Sequence, residues 1–312
     1  MIRDGYDIVA LGDVNLDLVV SHNLPFPFSS LTENGVIYWE EVDEIPGGSG
    51  LNFCVFAEEA GYQSLLLSKA GEDAAGVIIT KWLKQKKIAL PPNWIAPCPT
   101  GKALIMRDSS DIRLLINNKH NANHMLDMKD IDENRDALAA CRVLYISGYA
   151  ISDPQTLRYK AALQAMEYAR SSPTHPVVVL DVVPHRIYDK FTFSQFRELT
   201  QNVDIFISEV ATMRRFLGLG IKSETIDDNM AMDTAEHISQ LYKRIVLRFG
   251  LSGCDKQILI DNNTGQFSCN ETGHNIAKDK RGFGDRLALN SLRDFFKVLP
   301  GVESHKIVCT EL

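Results

Sequence analysis

Short, continuous apolar runs alternate with stretches of helical period along most of this chain. The runs fall at 7–11, 64–68, 143–147, 177–181, 204–208, 245–249 and 258–261. Between them, apolar residues recur at helical spacing over 51–60, 75–86, 154–170, 210–217, 230–242 and 285–297, which predicts amphipathic helices. A run such as Val177-Val178-Val179-Leu180 has no polar face, as expected of a strand covered on both sides. Strands that alternate with helices make crossover connections and a largely parallel sheet. The predicted fold class is therefore α/β, doubly wound, with a mostly parallel sheet flanked by helices.

Two segments, 14–45 and 100–117, break the rhythm. In the second, Ala103-Leu104-Ile105-Met106 and Leu114-Leu115-Ile116 flank Asp108-Ser109-Ser110-Asp111, a hairpin pattern with a polar turn. The first reads as extended chain with a Pro-rich loop at Pro25 and Pro27. Neither holds a crossover helix, so both are expected in a small separate sheet. No repeat or linker divides the chain, and residues 1–312 are expected to form one domain with these strands inserted.

Composition narrows the function. The chain has 312 residues, 33 Lys+Arg against 40 Asp+Glu, and a formal net charge of -7. Without a basic run, no nucleic-acid partner is expected. No apolar stretch reaches the ~20 residues of a membrane-spanning helix, so no membrane partner is expected either. The charged start carries no signal-peptide core, and a cytoplasmic protein follows. Six scattered cysteines without a Cys-x-x-Cys pair read as reduced core thiols.

Candidate chemistry centres on glycines. Gly282-Phe283-Gly284-Asp285 runs directly into the last helical pattern. Glycines there let the backbone turn and point free amides outward at the positive end of the helix dipole, which makes an anion cradle. Asp285 either caps this helix or takes a proton from a hydroxyl attacking a bound phosphate; position alone does not decide. Gly47-Gly48-Ser49-Gly50-Leu51-Asn52 also precedes a helix, and Asn52 offers a donor and an acceptor to a hydroxylated ligand. It is no P-loop, since no Gly-Lys-Ser/Thr follows.

Together with Gly12-Asp13-Val14-Asn15-Leu16-Asp17 and Gly71-Glu72-Asp73-Ala74-Ala75-Gly76, these motifs resemble, in order and spacing, the ribokinase (PfkB-type carbohydrate kinase) family. The resemblance implies a ribokinase-like fold whose off-rhythm strands form a β lid over the substrate, which in many members also makes a dimer contact. It implies ATP and Mg2+ as cofactors and a small sugar as substrate. By position, Asp285 matches the family's catalytic base, and Gly282, Phe283 and Gly284 match its anion hole. Asn15, Asp17, Gly47, Gly48 and Asn52 match substrate-binding positions. Glu209, Arg248, Gly250 and Gly253 match nucleotide-binding positions, Glu209 also standing for a water-mediated metal contact. A monovalent cation is implied near Asp279. Asp181, at a strand end, is a candidate contact or a turn cap.

The pattern also departs from the family. Lys280, Arg281 and Phe283 stand where other residues are usual, the metal-linked Asn-x-x-Glu becomes Glu209-x-x-Thr212, Leu287 and Leu289 follow the base, and 27 residues follow Asp285. The leading expectation is phosphotransfer from ATP to a hydroxymethyl group of a sugar or sugar-like alcohol. One alternative is a sugar-binding or regulatory protein of this fold that has lost kinase activity. Another is a nucleoside kinase, with Tyr38 and Trp39 as an aromatic platform. His120 and His124 are expected in a loop rather than on a metal, and His185 in an exposed loop. Lys81, Lys84, Lys86 and Lys87 form a solvated helix face opposite Trp82 and Leu83. Gly-x-Ser-x-Gly is absent, so no nucleophile elbow is expected.

Overall fold

The structure, a computed structural model, describes residues 5–21, 42–107, 113–182, 187–220, 226–250, 255–273 and 282–300. An eight-stranded sheet runs through it in the order β14-β13-β12-β11-β10-β9-β1-β4. Its parallel part comprises β4 (Ser64–Leu67), β1 (Ile8–Leu11), β9 (Val143–Ser147), β10 (Val177–Val182), β11 (Ile205–Glu209) and β12 (Arg244–Phe249). β13 (Lys256–Asp261) and β14 (Gln266–Glu271) extend it antiparallel. The six parallel strands follow the continuous apolar runs, because a strand roofed by helices on both faces has no polar side to show.

Alternation along each strand divides the core in two. Leu144 and Ile146 of β9 pack with the Leu157–Ser171 and Asp228–Ser239 helices on one face. Val143 and Tyr145 face the other side, against Leu51 and Phe53 of the Ser49–Glu59 helix and Leu289 and Leu292 near the chain's end. The chain leaves β1 towards β4 on one side, while β9 and the following strands lie on the other. That reversal falls at the carboxyl ends of β1 and β9, the usual ligand position in such sheets.

The off-rhythm segments form a separate four-stranded sheet, β3-β2-β7-β8, built from β2 (Asn15–Ser21), β3 (Val42–Gly47), β7 (Gly101–Arg107) and β8 (Arg113–Asn117). β7 and β8 pair antiparallel, as the hairpin pattern predicts; the turn between them, Pro25, Pro27, Tyr38 and Trp39 lie outside the described residues. The two remaining short strands, β5 (Ala70–Gly71) and β6 (Ile95–Ala96), pair with each other. Close backbone contacts join lid to body. A Cβ on Gly50 would stand 2.8 Å from Gly12 Cα, so glycine at both positions lets the turn after β1 touch the Ser49–Glu59 helix. Asp73 caps the Ala74–Gln85 helix by accepting from Gly76 N at 2.9 Å, and also accepts from the Thr100 hydroxyl and backbone at the root of β7. Burial pushes this carboxyl up, but the Thr100 and Gly76 hydrogen bonds outweigh it and hold the pKa below the usual range.

Several elements differ from the sequence pattern. β14 has a strand's ladder but exposed residues on both faces, so no periodicity marks it. Helices at Met128–Glu133, Arg135–Ala140 and Phe193–Leu199 are short, and two of them are announced by capping boxes, Asp127 with Asp130 and Thr192 with Gln195. The final helical pattern is α only over Phe283–Asn290 and widens to a π turn at Ser291–Phe295. There Phe296 N bonds Ser291 O, and the wider turn keeps Leu292, Phe296 and Leu299 in the core. Of the cysteines, Cys54 and Cys141 are buried but Cys269 is exposed on β14, so the reading as core thiols fails there.

Gly50→Ala is expected to lower the urea unfolding free energy by ~1–3 kcal/mol, since the Gly12 backbone cannot swing aside as a side chain would. An unchanged midpoint would mean that the joint is slack.

Candidate active site

A period of two places one residue from each central strand on the same sheet face. Tyr145 on β9, Asp181 on β10, Glu209 on β11 and Arg248 on β12 therefore form a polar row near the carboxyl ends of strands that are otherwise apolar. Asp181 is fully buried and Arg248 is 4% exposed. Arg248 Nη2 donates to Asp181 Oδ1 at 2.5 Å. The Tyr145 hydroxyl lies 3.3 Å from Asp181 Oδ2 and 3.4 Å from Asp285 Oδ1. Its ring stacks on Phe53 with centroids 3.7 Å apart, which fixes the position of the phenol oxygen.

The Phe283–Asn290 helix begins over this row. Gly282 is its cap at φ 78°, a left-handed conformation that glycine adopts without strain, and no side chain caps the helix. The first-turn amides of Phe283, Gly284 and Asp285 have no carbonyl of their own helix to bond. Asp285 does not cap. Its carboxylate turns to the sheet and accepts from Asn52 Nδ2 at 3.3 Å. Burial, then the Asp181 charge, pushes its carboxyl up to about 8, against the opposing pull of Arg248, Asn52 and Tyr145. A Cβ on Gly284 would stand 2.6 Å from Arg248 Nη1, and one on Gly282 would stand 3.0 Å from the Asn52 amide. Both glycines thus admit a polar side chain against the backbone.

The Ser49–Glu59 helix brings Asn52 to Asp285, although the two are 233 positions apart. Gly48, at φ 104°, lies against the Asp13 carbonyl, and Ser49 Oγ donates to Ser147 Oγ at 2.5 Å. Asn15 pairs with Gly47 across β2 and β3, and its Oδ1 accepts from Asn123 Nδ2 at 3.1 Å. Asn123 also bonds both backbone groups of Val14, so a buried amide holds the strand that presents Asn15. Asp17 is buried, with its carboxylate against Gly47. Asp13, between these motifs, is ion-paired with the buried Arg158.

The nucleotide-side candidates divide. Glu209 ends β11, half-buried, in register with Arg248. Arg248 lies under Gly284 rather than out along the loop that follows β12. Gly250, at φ 88°, turns that loop beside Asp255. Gly253, Asp279, Lys280, Arg281 and His185 lie outside the described residues. His124 belongs to a 3-10 turn, Ala122–Met125, not a loop. No cluster of three or more His, Cys, Asp or Glu side chains that could hold a metal ion occurs among the described residues. The single carboxylate of Glu209 suits a magnesium ion that keeps its waters and is carried by phosphates, not a cation in an all-protein cage. The amides at this helix start and the adjoining Arg248 suit the phosphates themselves.

A model of the pfkB family of carbohydrate kinases matches residues 7–255. The chain belongs to that family. The matched stretch ends before the helix that carries Asp285. Among curated proteins, this family member is 27% identical over 186 residues to 5-dehydro-2-deoxygluconokinase of Bacillus anthracis, a match that covers 59% of this chain and 51% of that one. The chain thus spans about half the length of the curated relatives it matches. Its fold is that of the adenosine kinase from Sinorhizobium meliloti, with a TM-score of 0.72 at 19% identity, over 92% of this chain and 86% of that one. It also matches a putative ribokinase II from E. coli solved with ATP and Mg2+, with a TM-score of 0.69 at 17% identity, over 94% and 89% of the two chains. No described helix is long and apolar enough to cross a membrane.

Sequence reading missed Tyr145 and gave Asp181 a lesser place. The available signal was a lone phenol inside the apolar run Val143-Leu144-Tyr145-Ile146, because a tyrosine buried there needs a partner for its hydroxyl.

Between roughly pH 4 and pH 8 the folded Asp285 carboxyl binds a proton that the unfolded one has released. This contribution to stability is complete below the ordinary carboxylate pKa and is lost as pH rises through about 8. Asp285→Asn is therefore expected to gain urea stability over the parent as pH rises from about 4 to about 8, by at most about 1.4 kcal/mol per pH unit, with the difference levelling off above. A pH-independent difference between the two would contradict the buried carboxyl.

Proposed function

We propose that this protein is an ATP-dependent, magnesium-assisted kinase acting on a hydroxymethyl group of a small sugar or sugar-like alcohol. One observation carries the reading: a buried carboxylate, Asp285, stands in the first turn of a helix that starts at a glycine with no side-chain cap, tied to Asn52 from the other glycine motif. Magnesium-bound ATP supplies the transferable phosphoryl group and part of the charge neutralisation. The chain's own work is to bind, orient and take a proton. Asn15, Asp17, Gly47, Gly48 and Asn52 hold the acceptor, whose hydroxyl proton passes to an Asp285 oxygen. As the acceptor oxygen bonds to phosphorus, the bond from phosphorus to the leaving ADP breaks, and the amides of Gly282, Phe283 and Gly284 meet the charge on the transferring group. Glu209 would hold the metal through water, and Gly250 would turn the chain into the nucleotide loop. The lid keeps competing water away from the reacting phosphate.

The B. anthracis relative makes 5-dehydro-2-deoxygluconate the first acceptor to screen, and the adenosine kinase match makes nucleosides the second. Val42, Leu115 and Ile116 are exposed on the lid strands, which supports a homodimer through the lid.

The reading is checked by ADP release in a coupled assay across sugars, sugar acids and nucleosides. Asp285→Asn should cost at least ~10²-fold in turnover while the acceptor still binds. Because the base works ionised, kcat/KM should fall about tenfold per pH unit below about 8. Near-normal turnover in the variant would refute the role of Asp285. An acceptor that binds by calorimetry without any ATP use would leave a binding protein of this fold.

A further inference from the structure

The phenol of Tyr145 reaches two carboxylates but owns one proton. It lies 3.3 Å from Asp181 Oδ2 and 3.4 Å from Asp285 Oδ1, and a single O–H can donate to only one at a time. Asp181 has the guanidinium of Arg248 at 2.5 Å, whereas Asp285 accepts from the neutral amide of Asn52 at 3.3 Å, with Arg248 acting on it electrostatically. Asp181 is thus the member that ionises first. While Asp285 holds a proton, both bonds are satisfied: Asp285 donates to the phenol oxygen and the phenol donates to Asp181. Once Asp285 is ionised, the better use of the phenol proton is on Asp285, since Arg248 still neutralises Asp181. No O–H bond of Tyr145 breaks; only its torsion changes.

We propose that Tyr145 and Asp181 are positioning residues for the base: the hydroxyl of Tyr145 turns between Asp181 and Asp285 as Asp285 loses and regains its proton, with Asp181–Arg248 as the fixed counter-site. This rests on the reading of Asp285 as the kinase base and deepens it. In turnover, the proton leaving the acceptor hydroxyl settles on Asp285, and Tyr145 swings back to Asp181. Asp285 then waits, hydrogen-bonded and neutral, for solvent to clear it. Among the described residues, the groups that face this centre are Asn52 from the Ser49–Glu59 helix, Tyr145 from β9, Asp181 from β10, Arg248 from β12 and, acting on Asp181 and Arg248, Glu209 from β11. Arg286, next along the helix, lies instead over Phe56 at 4.6 Å. The burial of Asp285 and the Asp181 charge, which together raise its pKa, agree with a resting proton on that carboxyl.

The test is a carboxyl carbon-13 NMR titration of the full chain, with Asp285→Asn and Asp181→Asn used to assign the two signals. In the parent, the Asp181 carbon should show a step at the midpoint where Asp285 ionises, as the phenol leaves it. In Tyr145→Phe, that step should vanish while Asp285 still titrates. An Asp181 signal flat through the Asp285 midpoint in the parent, or a step that persists in Tyr145→Phe, overturns the proposal. By assay, Asp181→Asn should move the acid limb of kcat/KM down by about one pH unit or more, because it removes a like charge and frees Arg248 to act on Asp285; an unmoved limb overturns it as well. A purely structural loss would lower Tm and leave the limb in place. If Asp181→Asn does not fold, the Tyr145→Phe titration alone decides. Activity retained in Asp285→Asn would defeat the reading of Asp285 as the base without touching the titration, so the two failures are separable.

Discussion

The site is organised around the difficulty of keeping two carboxyl groups and one guanidinium out of water in the same small volume. Asp181 and Arg248 form the inner pair, and Asp285 is added above them at the start of the last helix. A second charge of the same sign so close to Asp181 is costly, and the proton held by Asp285 relieves that cost. A group that stabilises the fold when neutral, and is poised to ionise near pH 8, has the proton affinity wanted of a general base. The functional proposal and the burial of the network are two descriptions of one electrostatic arrangement.

That arrangement depends on backbones coming closer than side chains allow. Gly284 lets Arg248 lie beneath the helix start, Gly282 lets Asn52 approach from the neighbouring helix, and Gly12 and Gly50 bring the turn after β1 against that same helix. Asn123 and Asp73 then tie the root of the lid to the body through buried hydrogen bonds. The glycines of separate motifs belong to one assembly. Membership of the pfkB family accounts for the frame.

Much of the architecture was legible from pattern. Runs such as 143–147 and 177–181 became central strands because continuous apolarity has only one comfortable place in a soluble α/β protein. The hairpin of β7 and β8 followed from two apolar runs around a polar turn. β14 was not legible, since an edge strand exposed on both faces carries no hydrophobic signal. The end of the last helix escaped because a π turn preserves apolar composition while changing the spacing. The glycine motifs marked where the site would be, but not what would face it.

By itself the sequence determined the alternation of strands and helices, the family likeness and the identity of the glycine-flanked acid, because these depend on local spacing and residue chemistry. Tertiary structure decided whether Asp285 would cap its helix or turn inward, and which neighbours would meet it. Asn52, Tyr145, Asp181 and Arg248 come from four distant stretches of chain. Only the parallel register of β9, β10 and β12, together with the docking of two helices on one sheet face, converts their separation into contacts of a few ångströms. The proton affinity of a buried group is a sum over such contacts.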